Sequence, residues 1–293
     1  MAAPDDISAA LARMEALAAP GGASTSGSPK GTRPGTPSKG AAAAAVPQTY
    51  LGLTRTSTYG FLMAIPLVVV YEALARLTLG DVGIRVGADV WVRGFLAQLG
   101  VAGTWPFALA VALLGLALVM RERQRVGPIP IRRAYLGGMI AESAAWAVLM
   151  LIVTPRVIGT LFAGAAGAGA GEAHLAQAGG GAVGLWGQIA LSFGAGVYEE
   201  FVFRVLLVGG MAWALRALWP KGPSYLFAAI VGAAIFSAVH YTGALGDPFT
   251  WSSFTYRFLL GLALNALYLS RGFGVAAWSH ALYDVFVTLL QAG

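Results

Sequence analysis

The sequence predicts an all-α, polytopic membrane protein of about seven transmembrane helices with a buried polar site. Three observations predict it. Apolar residues make up 57% of the 293 positions and charged residues only 11%, far from the balance of a soluble domain. The apolar residues fall in runs of about twenty, the length that crosses the hydrocarbon core as a helix. The arginines gather in short clusters at the ends of those runs, where the positive-inside rule places them.

Composition also excludes. Without a single cysteine, the chain has no disulfide scaffold, no thiol nucleophile and no Cys-based zinc site. The formal charge of +6 is accounted for by the clusters at run ends, so nucleic acid is not a predicted partner; the lipid bilayer is. The first stretch, residues 1–48, is rich in Ala, Gly, Ser and Pro and has little to bury, which predicts a disordered tail. Asp5 and Asp6 sit where a secretory signal would carry positive charge. Residues 49–185 are read as N-terminal transmembrane helices and 186–293 as a transmembrane core.

In chain order the predicted spans are Thr58 to Leu77, Thr104 to Met120, Ala134 to Phe162, Trp186 to Leu207, Tyr225 to Tyr241, Ser253 to Leu269 and Phe273 to Leu290. Between the second and third, Arg121, Arg123, Arg125, Arg132 and Arg133 are offset only by Glu122, which assigns that loop and the N-terminal tail to the cytoplasm. Arg216, Lys221 and Arg271 then also fall inside. The Gly/Ala-rich loop from about Ala163 to Leu185 carries no Lys or Arg and falls outside. The Ala/Gly-rich composition points to a bacterial inner membrane.

Ionisable groups inside apolar runs cost a few kcal/mol each on insertion scales, so each invites a functional explanation. The fourth run holds three of them in Tyr198-Glu199-Glu200-Phe201-Val202-Phe203-Arg204. Four residues apart on a helix, Glu200 and Arg204 share a face and can neutralise one another, while Glu199 points to one side and is left free for chemistry. Phe236-Ser237-Ala238-Val239-His240 closes the fifth run, and His280-Ala281-Leu282-Tyr283-Asp284 lies in the seventh. Asp284, one turn from His280, is placed to fix the imidazole's tautomer. Taken singly, an ion pair or a histidine in a membrane helix serves packing as readily as chemistry; five such groups on three helices favour a site. Elsewhere, Glu72 lies near a span end and reads as interfacial. Glu142 reads as a supporting residue without an assigned partner, and Arg257 as snorkelling to the interface. Asp81, Arg85, Asp89 and Arg93 read as a solvated loop, and His174 as exposed.

The ordered set Glu-Glu-x-x-x-Arg, Phe-x-x-x-His and His-x-x-x-Asp, one motif per apolar run, resembles the signature of the CPBP family. That family includes the type II CaaX prenyl proteases and bacteriocin-processing and immunity proteins. The resemblance covers about Trp186 to Leu290 and implies an all-helical, membrane-embedded peptidase whose functional residues are Glu199, Glu200, Arg204, Phe236, His240, His280 and Asp284. CaaX-type members commonly carry Asn where this chain has Asp284. An amide donates a hydrogen bond to an oxyanion and an ionised carboxylate does not, so Asp284 serves to orient His280 unless it is protonated.

Peptide hydrolysis needs a water, a base and donors for the oxyanion. On this reading Glu199 is the base, His240 holds or polarises the water, His280 stabilises the oxyanion, and Glu200 with Arg204 forms a supporting pair. The substrate is a peptide or membrane protein. A metal-dependent version would place a divalent ion such as zinc on His240, His280 and Glu199; the charge of Arg204 beside Glu200 favours the metal-free version. Other intramembrane chemistries are excluded more firmly. His240 is followed by Tyr241-Thr242-Gly243-Ala244 and opens no His-Glu-x-x-His motif. Asp284 has no second aspartate within a span, and no serine nucleophile turn is present. The rival readings are a non-catalytic immunity or scaffold protein and a proton-coupled transporter.

Overall fold

The structure, a computed structural model, describes residues 46–79, 85–100, 106–163, 183–243 and 246–292. Nearly all of the predicted tail, with His174 and Asp81, lies outside the described residues. Among those described, every regular element is helical: α1 (Tyr50–Thr54), α2 (Ser57–Thr78), α3 (Gly87–Gln98), α4 (Pro106–Val126), α5 (Arg133–Leu161), α6 (Leu185–Gly194), two π-helical segments (Ala195–Glu199 and Phe201–Gly209), α7 (Gly210–Leu215), α8 (Lys221–Val239), α9 (Trp251–Arg271) and α10 (Phe273–Ala292).

Local chemistry sets several of these starts. Thr49, Thr56 and Thr250 cap α1, α2 and α9 by accepting from the backbone N–H of Gly52, Tyr59 and Ser253, each satisfying a donor that has no partner inside its helix. Glu122, near the end of α4, adds a second cap to α2, accepting from the N–H of Ser57 at 2.8 Å and of Thr58 at 2.9 Å. Its carboxylate thus sits at the positive end of that helix. Between α9 and α10 the chain turns on Gly272, with φ at 85°, a left-handed conformation that glycine adopts without a Cβ penalty.

By length and apolar composition, α2, α5, α8 and α10 are able to cross a membrane. In α5 only 22% of the apolar window is buried in the protein. The outward face displays Trp146, Val148, Leu149, Ile152 and Val153, side chains that lipid accepts and water does not. The remaining predicted runs are helical too, but they depart from a simple span. The end of α4 runs on into the arginine cluster, α9 carries Arg257, and the fourth run changes its hydrogen-bonding register at Ala195.

Helix α10 is the axis of the fold, packing against α2, α5, α6, α9 and the first π-helical segment. One apolar core gathers Leu67, Tyr71, Phe107, Val197, Tyr198 and Ala281; a second gathers Met150, Ile158, Tyr256, Leu264 and Tyr283. The short helix α3 was not expected. Residues read as a solvated loop instead bury Asp89 completely, because Arg85 and Arg93, one turn to either side of it, both engage its carboxylate.

Candidate active site

The three motif-bearing elements meet at Phe236. Its ring lies under the Arg204 guanidinium at 4.4 Å and edge-on to Phe203 at 5.2 Å, His240 at 4.9 Å and His280 at 6.1 Å. Such contacts are worth about 0.5–1.5 kcal/mol for an aromatic pair and about 2 kcal/mol for a desolvated cation over a ring. The aromatic of Phe-x-x-x-His therefore joins Arg204 and both histidines through one side chain.

Glu200 and Arg204 are both fully buried, with Arg204 Nη1 3.0 Å from Glu200 Oε1. The approach is an ion pair without a directed hydrogen bond, since none of the guanidinium nitrogens has a hydrogen-bond partner among the described residues. Charge and the Phe236 face hold this cation. The same Oε1 accepts from His280 Nδ1 at 2.7 Å, and His280 Nε2 lies 3.5 Å from Asp284 Oδ2. Asp284 therefore sits beside His280 as expected, but the tighter partner of the imidazole is Glu200. With a carboxylate facing each ring nitrogen, the form of His280 that donates to both is the imidazolium.

The accessible members are different ones. Glu199 is partly exposed and makes no hydrogen bond or ion pair with the described residues, although its charge is felt by His280 and Arg204. His240, at the end of α8, directs Nδ1 to the carbonyl of Phe236 at 2.7 Å. A carbonyl only accepts, so Nδ1 carries the proton and Nε2 of the neutral ring is left with its lone pair. Asp284 is about one-third exposed, at 32%.

A wide helical turn presents the two glutamates. The π-helical backbone runs through Ala195–Glu199 and resumes at Phe201, a distortion frequent at functional sites. Gly196 permits a close approach to α10: a Cβ there would lie 2.5 Å from the Ala281 Cβ and 2.6 Å from the Ala277 carbonyl oxygen. The segment carrying Glu199 and Glu200 is thereby pressed against the helix carrying His280.

The donors do not fit the metal-dependent version. Neither nitrogen of His280 is free of a carboxylate, and no three His, Asp or Glu side chains among the described residues are grouped as ligands. His240, His280 and Glu199 are therefore not grouped as a ligand set.

Several supporting residues were misread or missed in the sequence. Arg257 has partners that the sequence did not reveal: it is held by the Tyr241 hydroxyl at 2.9 Å, Ser253 Oγ at 2.6 Å and the Asp247 carboxylate. Asp247 also donates its backbone N–H to the carbonyl of His240 at 2.9 Å, so the segment after His240 is tied to α9. Glu142 finds its partners in Arg271 at 2.5 Å and the Tyr50 hydroxyl at 2.8 Å. Glu72, read as interfacial, is buried within the protein at 3% exposed, with Arg76, Arg85 and Arg93 around its carboxylate. The i,i+4 spacings Glu72-Arg76, Arg85-Asp89 and Asp89-Arg93 were the available signal.

Fold and site together define a helical membrane protein with an embedded ionic centre. Within it, residues 181–286 match the family described as Type II CAAX prenyl endopeptidase Rce1-like. The match runs from before Glu199 to beyond Asp284 and so contains all three motifs; the resemblance they carry is borne out over that segment. The family is one of proteases, and the match implies a protease acting on peptide or protein substrates at a lipid bilayer. No curated protein and no solved structure matches the chain.

Proposed function

We propose that the chain is an intramembrane endopeptidase that hydrolyses a peptide bond near the membrane by a glutamate-activated water. The observation that supports this most is the division of labour between the adjacent glutamates. Glu200 is buried and engaged by Arg204 and His280, whereas Glu199 is partly exposed and unengaged beside them. Glu199 takes the proton of the attacking water, and the Nε2 lone pair of His240 accepts a hydrogen bond that orients that water. As the tetrahedral intermediate forms, the Nε2–H of His280, held only loosely by Asp284 at 3.5 Å, turns to the oxyanion. Asp284 aligns the ring, and Glu200 with Arg204 and Phe236 holds it from behind. Glu199 then returns its proton to the leaving amine.

In this reading residues 186–293 are the catalytic core, all seven apolar runs span the membrane, and the N-terminus lies on the cytoplasmic side, in a bacterial inner membrane. The test is Glu199→Gln assayed on a quenched fluorogenic peptide ending in a prenylated CAAX sequence, the substrate in the matched family's description. Cleavage should fall at least about 100-fold, the scale of a lost general base, with folding intact. Undiminished cleavage would remove Glu199 from the base role.

A further inference from the structure

We infer that Tyr198 is a positioning residue, through which an ionic cluster built by the N-terminal helices aims the turn that carries Glu199. The inference rests on the catalytic reading of Glu199 above.

The cluster lies outside the segment matched by the family. Glu72 of α2 and Asp89 of α3 are 3% and 0% exposed. Arg93 bridges them, reaching Glu72 Oε1 at 3.1 Å and the Asp89 carboxylate. Arg85 bridges them again, at 3.5 Å to Glu72 and 3.3 Å to Asp89, and Arg76 lies 3.3 Å from Glu72. Tyr71 donates its hydroxyl to Asp89 Oδ2 at 3.1 Å. So many charged partners in a buried setting leave the two carboxylates few alternative positions.

Into this cluster reaches one side chain of the catalytic segment. Tyr198 is fully buried and donates its hydroxyl to Glu72 Oε1 at 3.1 Å. Its ring stacks on Phe107 of α4 at 4.5 Å and meets Tyr71 edge-on at 5.3 Å. Its chain neighbours are Glu199 and then Glu200, and Glu200 is anchored in another direction by Arg204 and His280. The side chain of Glu199, between the two anchors, makes no hydrogen bond with the described residues. The anchors at 198 and 200, on either side of it in a π-helical stretch of the kind frequent at functional sites, set where the Glu199 carboxylate lies. A buried phenol donating to a carboxylate is more than packing requires; a phenylalanine would satisfy the same stacking.

The experiment compares Tyr198→Phe, Glu72→Asp and Phe107→Leu in lipid nanodiscs. Tyr198→Phe removes only the hydroxyl, Glu72→Asp withdraws the acceptor while keeping the charge, and Phe107→Leu disturbs the ring packing while leaving the hydroxyl bond. Isotope-labelled histidine gives three resonances, since the chain has three histidines, with His280 assigned by elimination through His174→Gln and His240→Gln. The first two variants should shift or broaden the His280 signal and move its titration; Tyr198→Phe should do so with the thermal midpoint nearly unchanged, whereas Glu72→Asp, which also draws back from Arg76, Arg85 and Arg93, should lower it. Phe107→Leu should lower the midpoint and leave His280 in place. On the prenylated peptide, Tyr198→Phe should lower kcat about 10-fold with KM within twofold, a small displacement being costly at a reacting centre. An unchanged His280 signal in Tyr198→Phe, or equal shifts in Tyr198→Phe and Phe107→Leu, overturns the inference. If the unaltered protein leaves the peptide uncut, a prenylated CAAX substrate is excluded, and the histidine spectra still decide whether Tyr198 sets the turn.

Discussion

Replacing Glu200 by Gln tests whether the two adjacent glutamates have separate roles. The carboxylate is inaccessible, 3.0 Å from Arg204 Nη1 and 2.7 Å from His280 Nδ1. An amide of the same shape leaves a buried guanidinium whose nitrogens have no hydrogen-bond partner. Removing one member of a buried pair costs about 3–5 kcal/mol, because the surviving charge stays desolvated. At about 2–4 °C per kcal/mol for a chain of this size, the thermal midpoint should fall by roughly 10 °C. Glu199→Gln breaks no hydrogen bond or ion pair and should stay within about 0.5 kcal/mol of the parent. Both proteins can be melted in nanodiscs with the eight tryptophans as reporters. The double variant Glu200→Gln/Arg204→Met removes both charges and should recover most of the lost midpoint while remaining inactive, since charge-free replacements of buried pairs are often neutral. Equal losses in Glu199→Gln and Glu200→Gln, or no recovery in the double variant, would refute the separation.

Three further outcomes follow from the packing. Gly196→Ala would place a methyl 2.6 Å from the Ala277 carbonyl oxygen; the catalytic segment and α10 must separate, so cleavage should drop and the midpoint fall by an amount typical of overpacking, about 1–3 kcal/mol. Phe236→Leu keeps an apolar filler but loses the face over Arg204 and the edges to both histidines. It should lower kcat more than 10-fold while costing about 2–3 kcal/mol of stability, measured by kinetics and melting together. At Tyr50, outside the spans, burial and the hydrogen bond to Glu142, partly opposed by Arg271, push the phenol up to about 12 from its ordinary 10. The folded state holds this proton more tightly than the unfolded chain, so the contribution is complete below pH 10 and is lost as pH rises toward 12. The stability gap between the parent and Tyr50→Phe should close across that window in melts at stepped pH.

Much of the fold was legible because lipid imposes one rule on every span. The runs predicted at Thr58 to Leu77, Ala134 to Phe162 and Phe273 to Leu290 lie within a residue or two of α2, α5 and α10. An apolar stretch of membrane length has no competing structure to adopt. Helix α3 was not legible: with Asp89, Arg85 and Arg93 it reads as polar, and burial of a carboxylate by charges one turn away is visible only once the helix exists. The π-helical turns were hidden for a different reason. Apart from Glu199, Glu200 and Arg204 the stretch from Ala195 to Gly209 is apolar on all sides, and three polar positions are too few to distinguish one helical pitch from another. At the site, the Glu200–Arg204 pair followed from spacing alone. The contact of Glu200 with His280 did not, because it depends on how the segment is rotated against α10, which Gly196 and the small residues Ala277 and Ala281 decide.

On the proposed reading, that rotation gives the two successive glutamates separate tasks. A single carboxylate facing both Arg204 and His280 is well held but poorly placed to attack, since both partners draw on the charge a base would use. One facing neither would be available but unsupported, at a real cost inside a membrane. Consecutive residues on a helix point in different directions, so the pair separates the tasks. Glu200 supplies the negative charge that lets Arg204 and His280 remain buried, and their positive charges extend to Glu199 without occupying it. The arrangement works only if the turn cannot roll, which would exchange the two carboxylates. Tyr198 on one side and Glu200 on the other oppose that roll, bound to separate clusters on α2 and α10.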